Sequence, residues 1–338
     1  MTKAVLLSPK SRTIEKRVKD ILTHTPLIDG HNDLAIFIRV FYNNRIYNET
    51  FSKPFAEGGL PAHVDLPRLK AGMNGGAFWS HRPLHNFHNN GQLISPLGIE
   101  GLHQIGNSAA TLRRYHALGV RYATLTHNCG NRFADAALWE GPLRKAPSVW
   151  GGLSGEEEAG EEMNRMGMVV DLAHTSVETM LDVLGQRENG WEEQGAHEVL
   201  DVVGRKGGLV MINFAPDFIS CVEAPGREDG LPDFYPGNAT LQQVVRHVRY
   251  IGERIGYEHV GLGSDFDGIE STPKGLEDVS KFPDLVTELL GQGVSDEDVA
   301  KIVGGNILRV WKEVEEVAKE MQEAGEPVLE DDLDNLLS

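Results

Sequence analysis

Short apolar runs alternate with amphipathic stretches along most of the chain. The runs have the length of buried strands, and the stretches between them repeat apolar residues at helical spacing. Because continuous apolar strands that alternate with helices are typical of parallel sheets covered by helices, the pattern predicts an α/β fold. We expect strands at residues 26–29, 76–79, 93–99, 120–125, 168–172, 208–213 and 259–263.

The number of strand-like runs favours a closed barrel. A (β/α)8 TIM barrel needs eight strand–helix units, and seven runs are visible. The sequence therefore predicts a TIM barrel that is one strand short, with an open doubly wound sheet as the alternative. The chain contains no GxGxxG or P-loop motif that would indicate a nucleotide site.

Polar side chains come directly after five of the apolar runs. In a β/α barrel the carboxyl ends of the strands meet on one face, where active sites are built. We therefore expect these side chains to line one cavity. They are His31 and Asp33 after the first run, then Glu100, His127, His174 and Asp265.

The residue types in this set suit a metal centre. His31 and Asp33 are two positions apart, so on an extended strand their side chains point the same way. Imidazole nitrogens and carboxylate oxygens are ligands for zinc and similar metals, and a carboxylate such as Glu100 can bridge two ions. Paired metals hold a hydroxide and clamp the oxygens of a reacting carbonyl or phosphoryl group. The set therefore predicts metal-assisted hydrolysis.

Each of these residues also has a structural interpretation. A lone histidine at a strand end is often a hydrogen-bonded core residue, Glu100 could begin a helix, and Asp265 and Asp267 could be turn residues. The recurrence of such groups at five strand ends favours the metal site.

The other candidate residues have weaker support from the sequence. His81, His85 and His88 lie in a polar loop, and His103, His116 and His247 fall on helical stretches. Trp79 and Phe214 line either a pocket or the core.

Composition and charge narrow the function classes. The 338 residues are 40% hydrophobic and 24% charged, which is normal for a globular protein, and the formal net charge is −18. Such an acidic chain does not suit nucleic acid, which needs clustered Lys and Arg. The chain has no apolar run of membrane-spanning length, and its first segment makes a poor signal peptide. The sequence as written would therefore be cytoplasmic, and the true compartment stays open. Cys129 and Cys221 are interpreted as free thiols.

Six motifs closely resemble the membrane (renal) dipeptidase family of zinc peptidases, in the style of its fungal members. The motifs are "DGHNDLA", "LGIEGLHQIG", "GVRYATLTHN", "GMVVDLAHTS", "LVMINF" and "GLGSDFDGI", and the resemblance extends over residues 27–312. It implies a β/α barrel with a two-zinc centre. It also implies the cleavage of dipeptides, including Cys-Gly, with a C-terminal residue of either hand.

The resemblance also implies a role for each residue that matches a family motif. His31 and Asp33 would hold the first zinc, and His174 would bind the second. Glu100 would bridge the two ions, which hold a hydroxide between them. His127 would contact the substrate and stabilise the oxyanion, and Asp265 would carry the proton to the leaving amine.

The chain departs from the family between His174 and "LVMINF". The family supplies a further zinc-binding His there from an "FSHS" strand, and then a substrate-binding Arg from an "RN" segment. The interval here contains "LDVLGQRENGWEEQGAHEVLDVVGRKGG", which has neither motif. His197 is its one histidine and lies at a predicted helix start, and Arg187 and Arg205 match no family motif. The missing strand of the barrel is thus the sixth.

A second departure lies between "FWS" and "LISPLGIEG". The family has a long helical section there, whereas "HRPLHNFHNNGQ" is all that joins the two motifs in this chain. In the family, the counterparts of Cys129 and Cys221 pair with cysteines inside the two missing sections. Two such clean losses suggest coding segments skipped in a gene model or a splice form, rather than a naturally shortened enzyme.

The sequence thus predicts one domain over residues 1–325 and an acidic tail over residues 326–338. The expected function is that of a zinc-dependent dipeptidase whose activity is lowered by the missing ligand and the missing Arg. The family often forms homodimers, so the resemblance leaves a homodimer open for this chain. Two alternatives stay open. One is an inactive relative that binds a metal or a peptide, and the other is a different barrel metallohydrolase, whose sites commonly begin with HxH where this chain has HxD.

Overall fold

The computed structural model describes residues 12–78, 95–141, 143–154, 158–186 and 196–331. They form a mixed α/β structure. The strands are β1 Leu27–Asp29, β2 Asn74–Ala77, β3 Leu97–Glu100, β4 Val120–Thr124, β5 Leu138–Trp139, β6 Arg144–Lys145, β7 Val169–Asp171, β8 Val210–Ile212, β9 Cys221–Val222, β10 Asp233–Phe234 and β11 Val260–Leu262. The α-helices are α1 Ile14–His24, α2 Leu34–Tyr42, α3 Glu49–Glu57, α4 Leu66–Ala71, α5 Ala109–Ala117, α6 Glu158–Met166, α7 Val177–Val183, α8 Ala196–Arg205, α9 Pro216–Ile219, α10 Leu241–Ile255, α11 Phe282–Gly291, α12 Asp296–Ala300 and α13 Asn306–Ala324.

The parallel strands form two hydrogen-bonded sets. In the first set, β3, β4 and β7 pair in that order. In the second set, β8 pairs with β11, and β1 pairs with β2. The amide of Gly30 donates to the carbonyl of Leu262, which joins β1 to β11. Neighbouring parallel strands therefore follow one another in chain order, with the last strand next to the first, as in a β/α barrel.

Each predicted strand run overlaps one of these seven parallel strands. β2 begins two residues before the run at 76–79, and β3 ends one residue after the run at 93–99. The other five strands lie inside their runs and are shorter than them. The run at 120–125, for example, gives β4, which ends at Thr124, although Leu125 is still buried. Hydrophobicity marks where a chain is buried, whereas the ladder also needs a partner backbone in register. The four remaining strands form two antiparallel hairpins, β5–β6 and β9–β10, in the long connections.

Side chains from several parallel strands meet in an internal hydrophobic cluster. Ile28 of β1 and Tyr122 of β4 are buried there with Phe78 and Ile307. Met211 of β8 packs against the same cluster. Larger clusters lie outside the strands, one under α1, α10 and α11 and one under α5 and α6. The strands are thus covered on both sides, which explains their continuous apolar sequence.

Hydroxyl side chains fix the points where several helices begin. Each accepts a hydrogen bond from the backbone amide three residues later, which satisfies a donor that has no partner inside the helix. Ser176 is one of them, and it begins α7 two residues after His174. The set comprises Thr13, Ser108, Ser176, Thr240 and Ser295.

Several sequence candidates lie outside the described residues. They are Trp79, His81, His85, His88 and Arg187. Between β7 and β8, the described residues 172–186 and 196–209 contain α7 and α8 and no parallel strand. Among the described helices, none combines the length and the apolar character needed to cross a membrane.

Candidate metal centre

Three carboxylates surround one nitrogen of His31. Nε2 of His31 lies 3.4 Å from Oδ2 of Asp33, 3.5 Å from Oε1 of Glu100 and 3.7 Å from Oδ1 of Asp265. His31 and Asp33 follow β1, Glu100 is the last residue of β3, and Asp265 follows β11; these strands lie apart in the chain. The structure therefore brings together four of the residues that the sequence marked at strand ends.

Glu100 also faces the two other histidines of the set. Oε1 of Glu100 lies 3.1 Å from Nε2 of His174, and Oε2 lies 3.9 Å from Nε2 of His127. The rings of His127 and His174 are tilted against each other, with centroids 4.6 Å apart. The six predicted side chains thus form one cluster, in which the Glu100 carboxylate faces all three histidines.

The backbone after β1 and after β11 is held together by main-chain hydrogen bonds. The amide of Asp265 donates to the carbonyl of His31 at 3.0 Å, and the amide of Asp33 donates to the carbonyl of Phe266 at 2.9 Å. Asp265 adopts a left-handed conformation, with φ of 64°. Non-glycine residues adopt it rarely, and Asp is among the more tolerant. At Gly268 a side chain would overlap the carboxylate of Asp33, so this turn needs glycine.

The carboxylates and histidines shift one another's proton affinity. Burial lowers the pKa of His31, but Asp33, Glu100 and Asp265 outweigh that effect and raise it to about 10. Burial raises the pKa of Glu100, yet the surrounding histidines bring it down to about 2. Burial raises the pKa of Asp265 to about 6 against the opposing charge of His31. The carboxylates around His31 therefore make this a concentrated negative site.

Residues outside the predicted set hold several of these side chains in place. The hydroxyl of Tyr122 lies 2.8 Å from Nδ1 of His31, and Nδ2 of Asn213 donates to Oδ2 of Asp265 at 2.9 Å. Asn128 contacts His174. The sequence does indicate Asn128, because this residue directly follows His127 in "LTHN". Tyr122 lies within an apolar strand and gave no such signal.

The remaining candidates have other surroundings. Asp267 lies in the turn after β11, with φ of 70°, and accepts a hydrogen bond from the amide of His63, which agrees with its predicted turn role. Phe214 is fully buried against Phe266 and Phe282, so it belongs to the core. His197 lies in α8, as the predicted helix start implied. His103 faces Cys129, with Nδ1 3.7 Å from Sγ.

The donor atoms fit a cation. Nε2 of His31 is buried and has no hydrogen-bond partner among the described residues, although carboxylate oxygens lie on several sides of it. The described part of the chain contains two groups that offer three ligand atoms each, within 4.8 Å of one another in each group, and Glu100 belongs to both. Imidazole and carboxylate donors of this kind suit zinc and similar metals.

The sequence matches a protein-family model over most of its length. The model is that of the membrane dipeptidases, peptidase family M19, and it matches residues 15–86, 81–188 and 196–325. The chain belongs to the membrane dipeptidase family. The fold, the metallopeptidase character of the family and the acidic and imidazole donors found here agree with one another.

Two fungal relatives support membership of the membrane dipeptidase family. The chain is 40% identical to dipeptidase aclJ of Aspergillus oryzae over 377 aligned positions, which cover 94% of this chain and 84% of that protein. It is 36% identical to dipeptidase verJ of Clonostachys rogersoniana over 372 positions, which cover 91% of this chain and 89% of that protein. Both alignments are longer than the 338 residues of this chain, so each relative has residues with no counterpart here.

Solved structures of other dipeptidases share the fold. The probable dipeptidase PvdM of Pseudomonas aeruginosa superimposes with a TM-score of 0.70 at 19% identity, over 91% of this chain and 100% of that one. A metallopeptidase of Rhodobacter sphaeroides, liganded with a phosphinate mimic of L-Ala-D-Ala, gives 0.65 at 20% identity, over 85% of this chain and 99% of that one. At these identities the likeness is one of fold.

Proposed function

We propose that this protein is a zinc-dependent dipeptidase that hydrolyses the peptide bond of dipeptides, those of Cys-Gly type among them. Membership of the membrane dipeptidase family supports the reaction class. The observation that carries the proposal is the position of Glu100, whose carboxylate faces His31 on one side and His174 on the other. The specificity for Cys-Gly rests on the resemblance to the family.

The metal ligands in this proposal are four. His31 and Asp33 would hold the first ion, His174 would hold the second, and Glu100 would belong to both. Zinc held there would supply a Lewis acid for the scissile carbonyl and would acidify water. The orphaned Nε2 of His31 and the low pKa of Glu100, about 2 beside the histidines, suit this assignment.

His127 and Asp265 act on the substrate in this proposal. His127 is partly exposed beside Glu100, and it donates a hydrogen bond to the oxygen on which negative charge develops. One carboxylate oxygen of Asp265 is held by Asn213, and the other faces His31. Its raised pKa, about 6, suits a group that accepts a proton and passes it to the leaving amine.

We propose further that the barrel lacks its sixth strand and that the activity is impaired for that reason. The family model matches in separate pieces that break near residues 81–86 and between residues 188 and 196. These breaks coincide with the two departures in the sequence. The segment between β7 and β8 is the one in which the family's further zinc ligand and its substrate-binding Arg would lie.

A catalytically inactive relative is the second candidate, and one observation favours it. Among the described residues, the second group of donors comprises Glu100, His127 and His174 alone. If His127 is needed for the substrate, two protein ligands are left for the second ion, which is fewer than the three of catalytic zinc sites.

Zinc content and dipeptide turnover separate these candidates. Metal-free protein is loaded with zinc, its metal content is measured, and hydrolysis of Cys-Gly and other glycine-containing dipeptides is followed beside dipeptidase aclJ. The proposal expects bound zinc and slow, metal-dependent turnover. Bound zinc with no turnover would favour the inactive relative, and turnover equal to that of aclJ would refute the impairment.

A further inference from the structure

Two histidines of the centre are held from outside at the ring nitrogen that faces away from Glu100. Nδ1 of His31 lies 2.8 Å from the hydroxyl of Tyr122, and Nδ1 of His174 lies 3.1 Å from Oδ1 of Asn128. A histidine that binds a metal through Nε2 carries its proton on Nδ1. An acceptor placed there fixes both the tautomer and the ring orientation.

The hydroxyl of Tyr122 has a fixed place inside the strands. Tyr122 lies on β4 and is 6% exposed, and its ring meets that of Phe78 edge-on, with centroids 5.2 Å apart. Gly98 on the neighbouring β3 leaves room for the phenol, because a Cβ at this position would overlap the ring. Packing therefore holds the hydroxyl opposite Nδ1 of His31.

Glu140 fixes the side-chain amide of Asn128. Nδ2 of Asn128 donates to Oε1 of Glu140 at 3.3 Å, and this leaves Oδ1 to accept from Nδ1 of His174. The backbone amide of Glu140 also donates to the carbonyl of Asn128 at 3.0 Å. These two contacts therefore orient the side-chain amide of Asn128 so that its Oδ1 accepts the proton on Nδ1 of His174.

We propose that Tyr122 and Asn128 are positioning residues for two different cations. Tyr122 orients His31 toward the ion shared with Asp33 and Glu100, whereas Asn128 orients His174 toward the other ion at Glu100. The proposal rests on the proposed metal-dependent function and adds to it a separate outer partner for each ion. Loss of such a partner typically weakens metal binding by about 10–100-fold.

The test is a zinc titration of the metal-free protein in competition with a chromophoric chelator. Tyr122→Phe removes one oxygen atom, and we expect it to weaken one binding step by about 10–100-fold. That step should be the one that Asp33→Asn abolishes. Asn128→Leu should weaken the other step by a similar factor. Asn128→Asp combined with Glu140→Gln should restore it, because this pair keeps an acceptor beside His174 and exchanges donor and acceptor across the contact at 140. Tyr42→Phe is the matched control, because the Tyr42 ring packs against Phe37 and Phe51.

Melting temperatures of the metal-free proteins separate positioning from a purely structural role. We expect the variants to melt within about 5 °C of the wild type before zinc is added, because each changes one polar contact and opens no large cavity. Lower melting temperatures with unchanged zinc affinity would overturn the proposal. If the wild type binds zinc and both variants bind it within about twofold of the wild-type affinity, the positioning proposal is overturned. The proposed function would then stay intact. A wild type that binds no zinc would overturn both.

Discussion

Oε1 of Glu100 lies 3.1 Å from Nε2 of His174. The same oxygen lies 3.5 Å from Nε2 of His31, so one carboxylate atom faces the imidazoles that follow β7 and β1. β3, which ends at Glu100, is the strand that presents this carboxylate between them. A residue shared by two cations must occupy such a position, and its loss should therefore affect both ions at once.

Glu100→Gln should weaken binding of both zinc ions by about 100-fold or more, because the amide removes the shared negative charge. Hydrolysis should fall with the metal content. Zinc analysis after dialysis against a weak chelator measures the effect, and Glu178→Gln, at an exposed site on α7, is the control. Loss of one ion alone would mean that Glu100 does not bridge.

Asp265→Asn should lower kcat by about 10²–10⁴-fold and leave zinc content unchanged, since the amide cannot accept a proton. Steady-state kinetics on Cys-Gly and metal analysis of the same preparation give both values. Asp217→Asn, at an exposed site on α9, should behave as the wild type. A variant that loses zinc as well as activity would place Asp265 among the metal ligands instead.

Asp135→Asn should destabilise the folded protein by about 2–4 kcal/mol at neutral pH, because several donors would lose a charged acceptor. Asp135 is 1% exposed. Its carboxylate accepts hydrogen bonds from the side chain of Ser148 and from the amides of Val149, Trp150, Gly151 and Gly152. Chemical denaturation measures the difference, and Asp284→Asn, at a side chain that is 63% exposed, is the control.

The effect of Asp135 should also depend on pH. Burial raises the pKa of Asp135, but the amide and hydroxyl donors outweigh it and lower the pKa below its usual range. A carboxyl with a depressed pKa in the folded state stabilises the protein above its unfolded pKa, near 4, and this contribution is lost as the pH falls. The gap in stability between wild type and Asp135→Asn should therefore narrow below about pH 4. A gap of constant size down to pH 3 would contradict this.

Asp331 lies in the segment predicted to be an acidic tail, and it contacts the start of α5. The carboxylate of Asp331 accepts hydrogen bonds from the hydroxyl of Ser108 and from the amides of Ala109 and Ala110, at the N-terminus of α5. Asp331→Ala should therefore cost about 1 kcal/mol of stability, the usual value of a helix cap. Glu330→Ala is the neighbouring control, because Glu330 is exposed. Equal unfolding curves for both variants would show that the contact contributes no stability.

The sequence predicted the positions of the strands and the convergence of the site. Because the carboxyl ends of parallel strands meet on one face, residues as distant as His31 and Asp265 could be assigned to one cavity. Their actual separation, 3.7 Å between side-chain atoms, agrees with that inference. The roles assigned to the individual residues stay predictions.

The outer contacts could not be predicted in the same way. Tyr122 looks like any apolar strand residue, and only the packing of β3 and β4 directs its hydroxyl at His31. The contacts of Asp135 with the loop at 148–152 depend on backbone amides, which every sequence supplies. Such contacts are set by loop conformation, about which hydrophobic periodicity carries no information.

The most direct test of a centre with two metals that share Glu100 is a crystal structure of the zinc-loaded protein with diffraction data on both sides of the zinc absorption edge. We expect two anomalous peaks, one at His31, Asp33 and Glu100, and the other at Glu100 and His174. Peaks elsewhere, or no peak beside Glu100 at saturating zinc, would contradict it.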